Sequence, residues 1–556
     1  MADTIFTNCQ VITADENFTE TDSVAIQAGR ILAVGEADHV SKFKMAGTVE
    51  LDLKGRTVLP GLIEVHTHPI WTAVHGNVYL DISGMKPMSM EEVWETIGKV
   101  VNNTAKGEWV KVCGYNPILI PGMEIPTIQK LDEIAPDNPM CVFTQSLHSC
   151  FFNSAAFSVA GIDATVKDPP GGHFVRDSDG QLTGMVNEND AISMVTKSMP
   201  RTSTLEGRAY MRRQLWEYAM NGYTTIAATG LFASFKGAYT VIEELTGRRD
   251  SPVRLAVYHR EPAVRGRLEK MVRGKAGQDN YTFIGVKFWS DGSPYSGTMA
   301  TQDPYLDNEF TRNGLGFSAY PNHGELNHSE QGLYEAMLPY HLNGLQLTVH
   351  AHGERAIEQT LDVYEALLKL HPRDDHRYRL EHCGLITETQ LERAMILGAT
   401  PSFFPDHIHY FGTALRDHIL GEERAARFMP LYTASRIGHC WSSHSDSPCC
   451  PLGVFRAIKT IVTRASRCHK EKDTESEVIG PEQCVDVTQA IRAYTINPAW
   501  QIFHEDYIGS IEEGKMADFT VISDNPLKLD PQQLDEIQIL ATYRSGKKVN
   551  WMNAQM

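Results

Sequence analysis

The chain has no apolar run approaching the roughly 20 residues that a membrane-crossing helix needs. Its ten cysteines form no Cys-x-x-Cys pair, which excludes a zinc ribbon and a thioredoxin-like redox motif. The adjacent Cys449 and Cys450 invite a disulfide, but vicinal geometry is strained, and both are expected simply to pack. A chain this long does not depend on disulfide staples, so reduced thiols in a cytosol are the simplest reading. Positive charge is also scarce. Lysine and arginine number 51 against 69 acidic residues, a formal net charge of -18. That balance disfavours nucleic acid and anionic membranes as partners. It leaves a small-molecule substrate open, because a metal pocket carries its own local field. The start, Met1-Ala2-Asp3-Thr4, has neither a basic n-region nor an apolar h-region, so no secretory signal is expected and a cytoplasmic location is. There is no tandem repeat and no low-complexity tract.

What is present is ordinary globular composition, 42% hydrophobic and 22% charged, over 556 residues. A single barrel of about 250 residues would leave much of that length unexplained. The middle of the chain alternates apolar strand candidates with amphipathic helix candidates, the pattern of βα units. Eight strands are expected: Leu62 to Val65, Tyr223 to Ala228, Val253 to Tyr258, Phe283 to Phe288, Leu345 to His350, Arg377 to His382, Ala399 to Phe403 and Ile437 to Ser445. Helices such as Leu205 to Asn221, Ala356 to Leu370 and Glu423 to Ser435 fall between them. The fold class read from this is α/β, a (β/α)8 TIM-like barrel with two additions. The first ~58 residues and the stretch after about Gly509 both read as short strands and turns, so a small β-sandwich made from both termini is expected. The interval from His68 to Tyr223 is far longer than a βα connection and reads as an α+β insertion over the barrel mouth. The expected division is 1–58 with 500–556 for the sandwich, 59–74 with 206–499 for the barrel, and 75–205 for the insertion. The polar stretch Ser466 to Gly480 reads as a mobile loop.

The most informative segment is Pro60-Gly61-Leu62-Ile63-Glu64-Val65-His66-Thr67-His68-Pro69. Residues two apart on a strand share a face, so His66 and His68 can offer two imidazoles to one ion. Chemistry on such barrels sits at the C-terminal ends of the strands. Other strand ends supply Lys287, His350, His382 and Asp446. Imidazole and carboxylate suit zinc, iron or manganese. Lysine would become a ligand only as the carbamate formed with carbon dioxide, which can bridge two ions. Asp291, before Gly292, reads as a turn cap. His444 and His173 read as structural. Glu381 is expected on the face opposite His382, anchoring a neighbouring loop or helix.

These ordered motifs resemble the amidohydrolase superfamily, specifically amidohydrolase family 3, the YtcJ-like group. The resemblance rests on Pro60 to His68, on Gly285-Val286-Lys287-Phe288-Trp289-Ser290-Asp291-Gly292-Ser293, on His350 to Ala356, Arg379 to His382 and Ser445 to Pro448. It extends upstream to Gly171-Gly172-His173 with Asp179-Gly180, and downstream to Thr495 to Ala499 and Gly509 to Asp518. It implies a metal-dependent hydrolase of C–N bonds. His66, His68 and Asp446 would hold a buried metal, His350 and His382 a more exposed one, and Lys287 would bridge both as its carbamate, with zinc expected for both ions. His352 departs from the pattern and is either an alternative ligand or a substrate contact. A metal-activated hydroxide would attack an amide carbonyl, with Asp446 as the proton shuttle. His148 matches a histidine of the insertion that could reach over the site, and Tyr115 and Trp289 are further substrate-side candidates, with Trp71, Phe403, Phe404 and Tyr410 nearby. The expected substrate is a small, neutral, partly hydrophobic amide. Deamination, cyclic-amide hydrolysis, decarboxylation and a non-catalytic scaffold are the rival readings. A homodimer is admitted by analogy alone.

Overall fold

The computed structural model describes residues 1–85, 88–261, 280–317, 320–467 and 476–551. Eight parallel strands pair in chain order: β1 (Leu62–Thr67), β2 (Tyr223–Leu231), β3 (Arg254–Arg260), β4 (Tyr281–Trp289), β5 (Gln346–Ala351), β6 (Arg379–His382), β7 (Thr400–Phe403) and β8 (Ser442–Ser443). Each lies at the expected place. The runs are almost entirely buried, as parallel strands covered by helices must be. Helices such as Thr204–Met220 and Glu354–Leu370 supply that cover. The first of these starts at a reciprocal cap between Ser203 and Glu206, which satisfies two backbone donors at once.

β8 is much shorter than expected. Only Ser442 and Ser443 pair with β7. Ile437 instead closes the helix Leu431–Arg436, and Gly438, at φ 81°, ends it. The single helix expected over Glu423 to Ser435 is two pieces, Glu422–Ala426 and Leu431–Arg436, broken at Met429 (φ 54°) and Pro430. With so short a last strand, no ladder joins β8 to β1. The seam is closed by isolated bonds: Asp446 N donates to the His66 carbonyl at 3.2 Å and His68 N to the Ser447 carbonyl at 2.9 Å. Ser445 adds two more, from its backbone N at 3.2 Å and its hydroxyl at 2.8 Å, to the buried Glu64 carboxylate. The first and last strand ends are thereby drawn together.

Strands from both termini share one six-stranded sheet: Lys547–Lys548, Ile539–Arg544, Phe519–Ile522, Thr57–Pro60, Gln10–Ile12 and Glu20–Thr21. A four-stranded sheet from Thr4–Thr7, Ser23–Gln27, Arg30–Gly35 and Val49–Asp52 accompanies it. Phe6, from the smaller sheet, packs edge-on against Tyr543 of the larger, with ring centroids 4.9 Å apart. A further six-stranded mixed sheet has all its strands between Leu80 and Asn187, in the sequence interval between β1 and β2. Its loop at 145–148 reaches the seam, where the Gln145 amide donates to the Cys449 carbonyl. The stretch Ser466 to Gly480 lies mostly outside the described residues; its flanks, Ala465–Ser466 and Glu477–Val478, pair antiparallel. No described helix is long and apolar enough to cross a membrane.

The register of β4 on β5 tolerates no side chain at Gly285. A Cβ there would lie 1.9 Å from the Gln346 carbonyl oxygen. Gly285→Ala is therefore expected to pry the two strands apart at a cost of about 3 kcal/mol or more. Gly76, in the helix Pro69–Val78, has open space around it. Gly76→Ala should be neutral or stabilising by up to about 1 kcal/mol. Urea midpoints of the two variants, measured side by side, check the pair; equal midpoints would refute the steric account.

Candidate metal centre

Three overlapping clusters of donor atoms lie at the strand ends among the described residues: His66, His68 and Asp446; His350, His352 and His382; and His66, His382 and His444. All are buried. The first gathers at the barrel seam. Asp446 Oδ1 is 3.1 Å from His68 Nε2 and 3.5 Å from His66 Nε2. A tetrahedral ion with ligands at about 2.0–2.1 Å sets its donors about 3.3 Å apart, so these three fit one face of such a shell. His66 is also correctly held for that purpose. Its Nδ1 is 2.7 Å from Glu381 Oε2, which leaves Nε2 as the free donor. A carboxylate behind a ligating imidazole fixes its tautomer and raises its basicity. In the second cluster, the buried His352 Nδ1 has no hydrogen-bond partner, as a ring nitrogen reserved for a ligand would.

The electrostatics agree with that use. Burial pushes His66, His350, His352 and His382 well below the ordinary histidine range, keeping their lone pairs free. His444 is pushed down to about 3, again by burial first. Burial opposes ionisation of Asp446, but His66 and His68 outweigh it and hold its carboxyl below the usual range.

The expectation of two zinc ions bridged by a carbamate at Lys287 is not met. The donor sets are His/His/His or His/His/Asp, and Lys287 belongs to none of them. The sets also overlap, since His66 and His382 each serve two, so they do not divide into two separate sites joined by one bridge. Lys287 Nζ lies 3.4 Å from His66 Nε2. Burial pushes its amine down to about 8, while Glu381 and Asp446 pull the other way.

Glu381 corrects a second expectation. It does not anchor an outer loop. Leu380 packs in the large apolar cluster, while Arg379 and Glu381 point the other way and pair at 2.8 Å. Arg379 continues to the Val65 carbonyl at 3.1 Å, and Glu381 also accepts from Thr348. Burial works against the Glu381 charge, but Arg379 and Lys287 override it and hold the carboxyl below its usual range. Strand alternation would turn His382 outward. Its φ of 74° breaks the alternation and swings the ring over the mouth, 4.6 Å from His350 and 4.8 Å from His66 between centroids. Asp446, at φ 52°, is similarly forced. Left-handed backbone at non-glycine residues stores strain, and it clusters at functional sites. His444, expected to be structural, lies 3.1 Å from His382 Nδ1 and is steered by the Ser402 hydroxyl at 2.8 Å. Asp291, expected as a turn cap, instead accepts backbone N–H groups from distant segments, those of Ala300, His352 and Gly353 at 2.8–3.0 Å, and so holds the strand end that carries His352.

The insertion supplies the roof. His148 Nδ1 is 2.9 Å from Glu188 Oε2, and its ring stands 5.3 Å from that of His350. Burial alone would lower His148, but Glu188 reverses the shift and raises it. Glu188 was not visible in the sequence; only its place just after the 182–187 strand hinted at it. Beneath this roof the cleft has two narrow lobes of about 30 Å³ each, which share His148, His350 and Asp446. Trp289 lines one lobe and His352 the other. Phe404 lines the His352 lobe as well, whereas Phe403 and Tyr410 line neither. Tyr115 is elsewhere. Its ring packs 5.0 Å from Phe151 inside the insertion, and its hydroxyl donates to the Gly314 carbonyl.

A family model described as "Amidohydrolase family" matches residues 49–550. Among curated proteins, Protein LONG AFTER FAR-RED 3 of Arabidopsis thaliana is 27% identical over 99% of this chain and 92% of its own length. N-substituted formamide deformylase of Arthrobacter pascens is 27% identical over 98% of both chains. The solved structure of an uncharacterized metal-dependent hydrolase from Pyrococcus horikoshii OT3 superposes with a TM-score of 0.72 at 21% identity, over 95% of this chain and 99% of that one, which speaks for the fold.

Proposed function

The chain belongs to the amidohydrolase family, in its YtcJ-like group, and from that premise we propose that it hydrolyses the C–N bond of a small N-substituted amide at a divalent metal held by His66, His68 and Asp446. The observation that carries the reading is the meeting of these three donors across the seam, at 3.1 and 3.5 Å, with Glu381 behind His66. A divalent ion there supplies Lewis acidity toward the carbonyl oxygen and acidifies water. Asp446 accepts the proton of the attacking water and returns it to the departing nitrogen. His350, His352 and His382 face the same cleft and are assigned to the substrate carbonyl and its developing charge. His148, braced by Glu188, closes over the leaving side. The two narrow lobes favour a small acyl group, with the amine substituent leading away from the metal. The relative named as an N-substituted formamide deformylase makes formamides the first acyl group to try.

A panel of N-substituted formamides and acetamides, assayed for amine and acid, tests this reading. Thorough chelation is expected to abolish turnover, and a stoichiometric divalent ion to restore it. Release of ammonia or carbon dioxide in place of an amine, or full turnover after chelation, would refute the proposal.

A further inference from the structure

The charge on this molecule is distributed against its composition at one place. A third cleft adjoins the metal lobe through Trp71, Asn189 and Phe232, which line both. Four cations line it, Lys111, Lys197, Arg201 and Arg260, and no aspartate or glutamate does so among the described residues. In a chain with a formal net charge of -18, an acid-free pocket with four cations is not a sample of the average surface. Its position is fixed by the barrel. Arg260 ends β3 and is the ladder partner of Lys287 on β4. The guanidinium lies 5.2 Å from the Phe232 ring and 5.6 Å from that of Trp289. Stacking on two aromatic faces holds the fork in place before any ligand arrives. Asp190 touches the same guanidinium at 3.2 Å from the rim and is itself more than half exposed. Lys111 is half-buried, and its only hydrogen bond among those described is a long one, 3.4 Å, to the Pro200 carbonyl.

We propose that the substrate carries an anionic group, a carboxylate in the simplest case, on the far end of an apolar or aromatic substituent. The proposal rests on the hydrolase reading above and departs from the expectation of a neutral substrate. The amide sits at His66, His68 and Asp446. The substituent runs along the Trp71 and Phe232 wall, and the anion meets Arg260, with Lys111 and the rim cations Lys197 and Arg201 drawing it in. A planar fork matches a carboxylate with two parallel bonds, which a lysine could not reproduce.

The test has a binding arm and a turnover arm. In the first, tryptophan fluorescence follows binding of 4-phenylbutyrate and of its uncharged amide, 4-phenylbutyramide, to the protein as purified. The acid is expected to bind at least about 10-fold more tightly, and Arg260→Met and 0.5 M salt should each erase the difference. Arg260→Lys should restore only part of it. In the second arm, N-formyl amines ending in a carboxylate are compared with their methyl esters. The acids should have the lower KM, and Arg260→Met should raise KM for the acids alone with kcat kept. Equal binding of the acid and the amide, or equal losses for acid and ester in Arg260→Met, would overturn the proposal. Failure of every amide to turn over, with the binding preference intact, would sink the hydrolase reading and leave the anion site standing.

Discussion

Asp446→Asn is expected to lower kcat by about 10³-fold or more, with the fold intact. The substitution keeps the size of the side chain and removes its charge. Asp446 is the one anion in its donor triad, and two imidazoles hold its carboxyl in the ionised form. An amide there can neither take a proton from water nor neutralise a cation as a carboxylate does. The bonds that place residue 446 are made by its backbone, N–H to the His66 carbonyl and carbonyl to the Cys449 N–H, and both survive the change. Unfolding midpoints should therefore stay near those of the parent, while metal content measured by elemental analysis falls together with turnover. A variant that keeps full turnover would remove Asp446 from the proposed chemistry.

The second large effect is on stability. Glu381→Gln should destabilise the protein by about 3–5 kcal/mol, because it strands the fully buried Arg379 without its counter-charge. It should also weaken metal affinity by about 10- to 100-fold, since His66 loses the carboxylate that sets its tautomer. Urea unfolding followed by circular dichroism reads the first effect. Competition with a chromophoric chelator reads the second, and the two need not move in proportion. If neither changes, the link from Arg379 through Glu381 to His66 has no energetic content.

Much of this arrangement can be read in the chain before any coordinates. The barrel strands are short apolar runs set between amphipathic segments, and that contrast survives in the sequence. His66 and His68 are legible because a strand places alternate residues on one face. The failures have physical causes. Glu381 is misassigned by the same parity rule: with His382 on the mouth, alternation turns Glu381 away from it, but His382 sits at φ 74° and both residues serve the site. Ile437 to Ser445 has strand-like composition, but a glycine in the left-handed region diverts its first residues to end a helix. Lys287 carries the right motif for a carbamate, yet motifs do not report how a buried amine is paired. The partners of His148, Lys287 and Arg260 come from segments 40 to 221 residues away, and no local pattern encodes those meetings.

A barrel whose last strand pairs over only two residues is a ring left unwelded at one point. The cation proposed here would be the rivet across that gap, with His66 and His68 on one lip and Asp446 on the other. Loss of the ion would then be felt first as local opening between Leu62–Thr67 and the 445–448 turn, long before the remaining strands loosen.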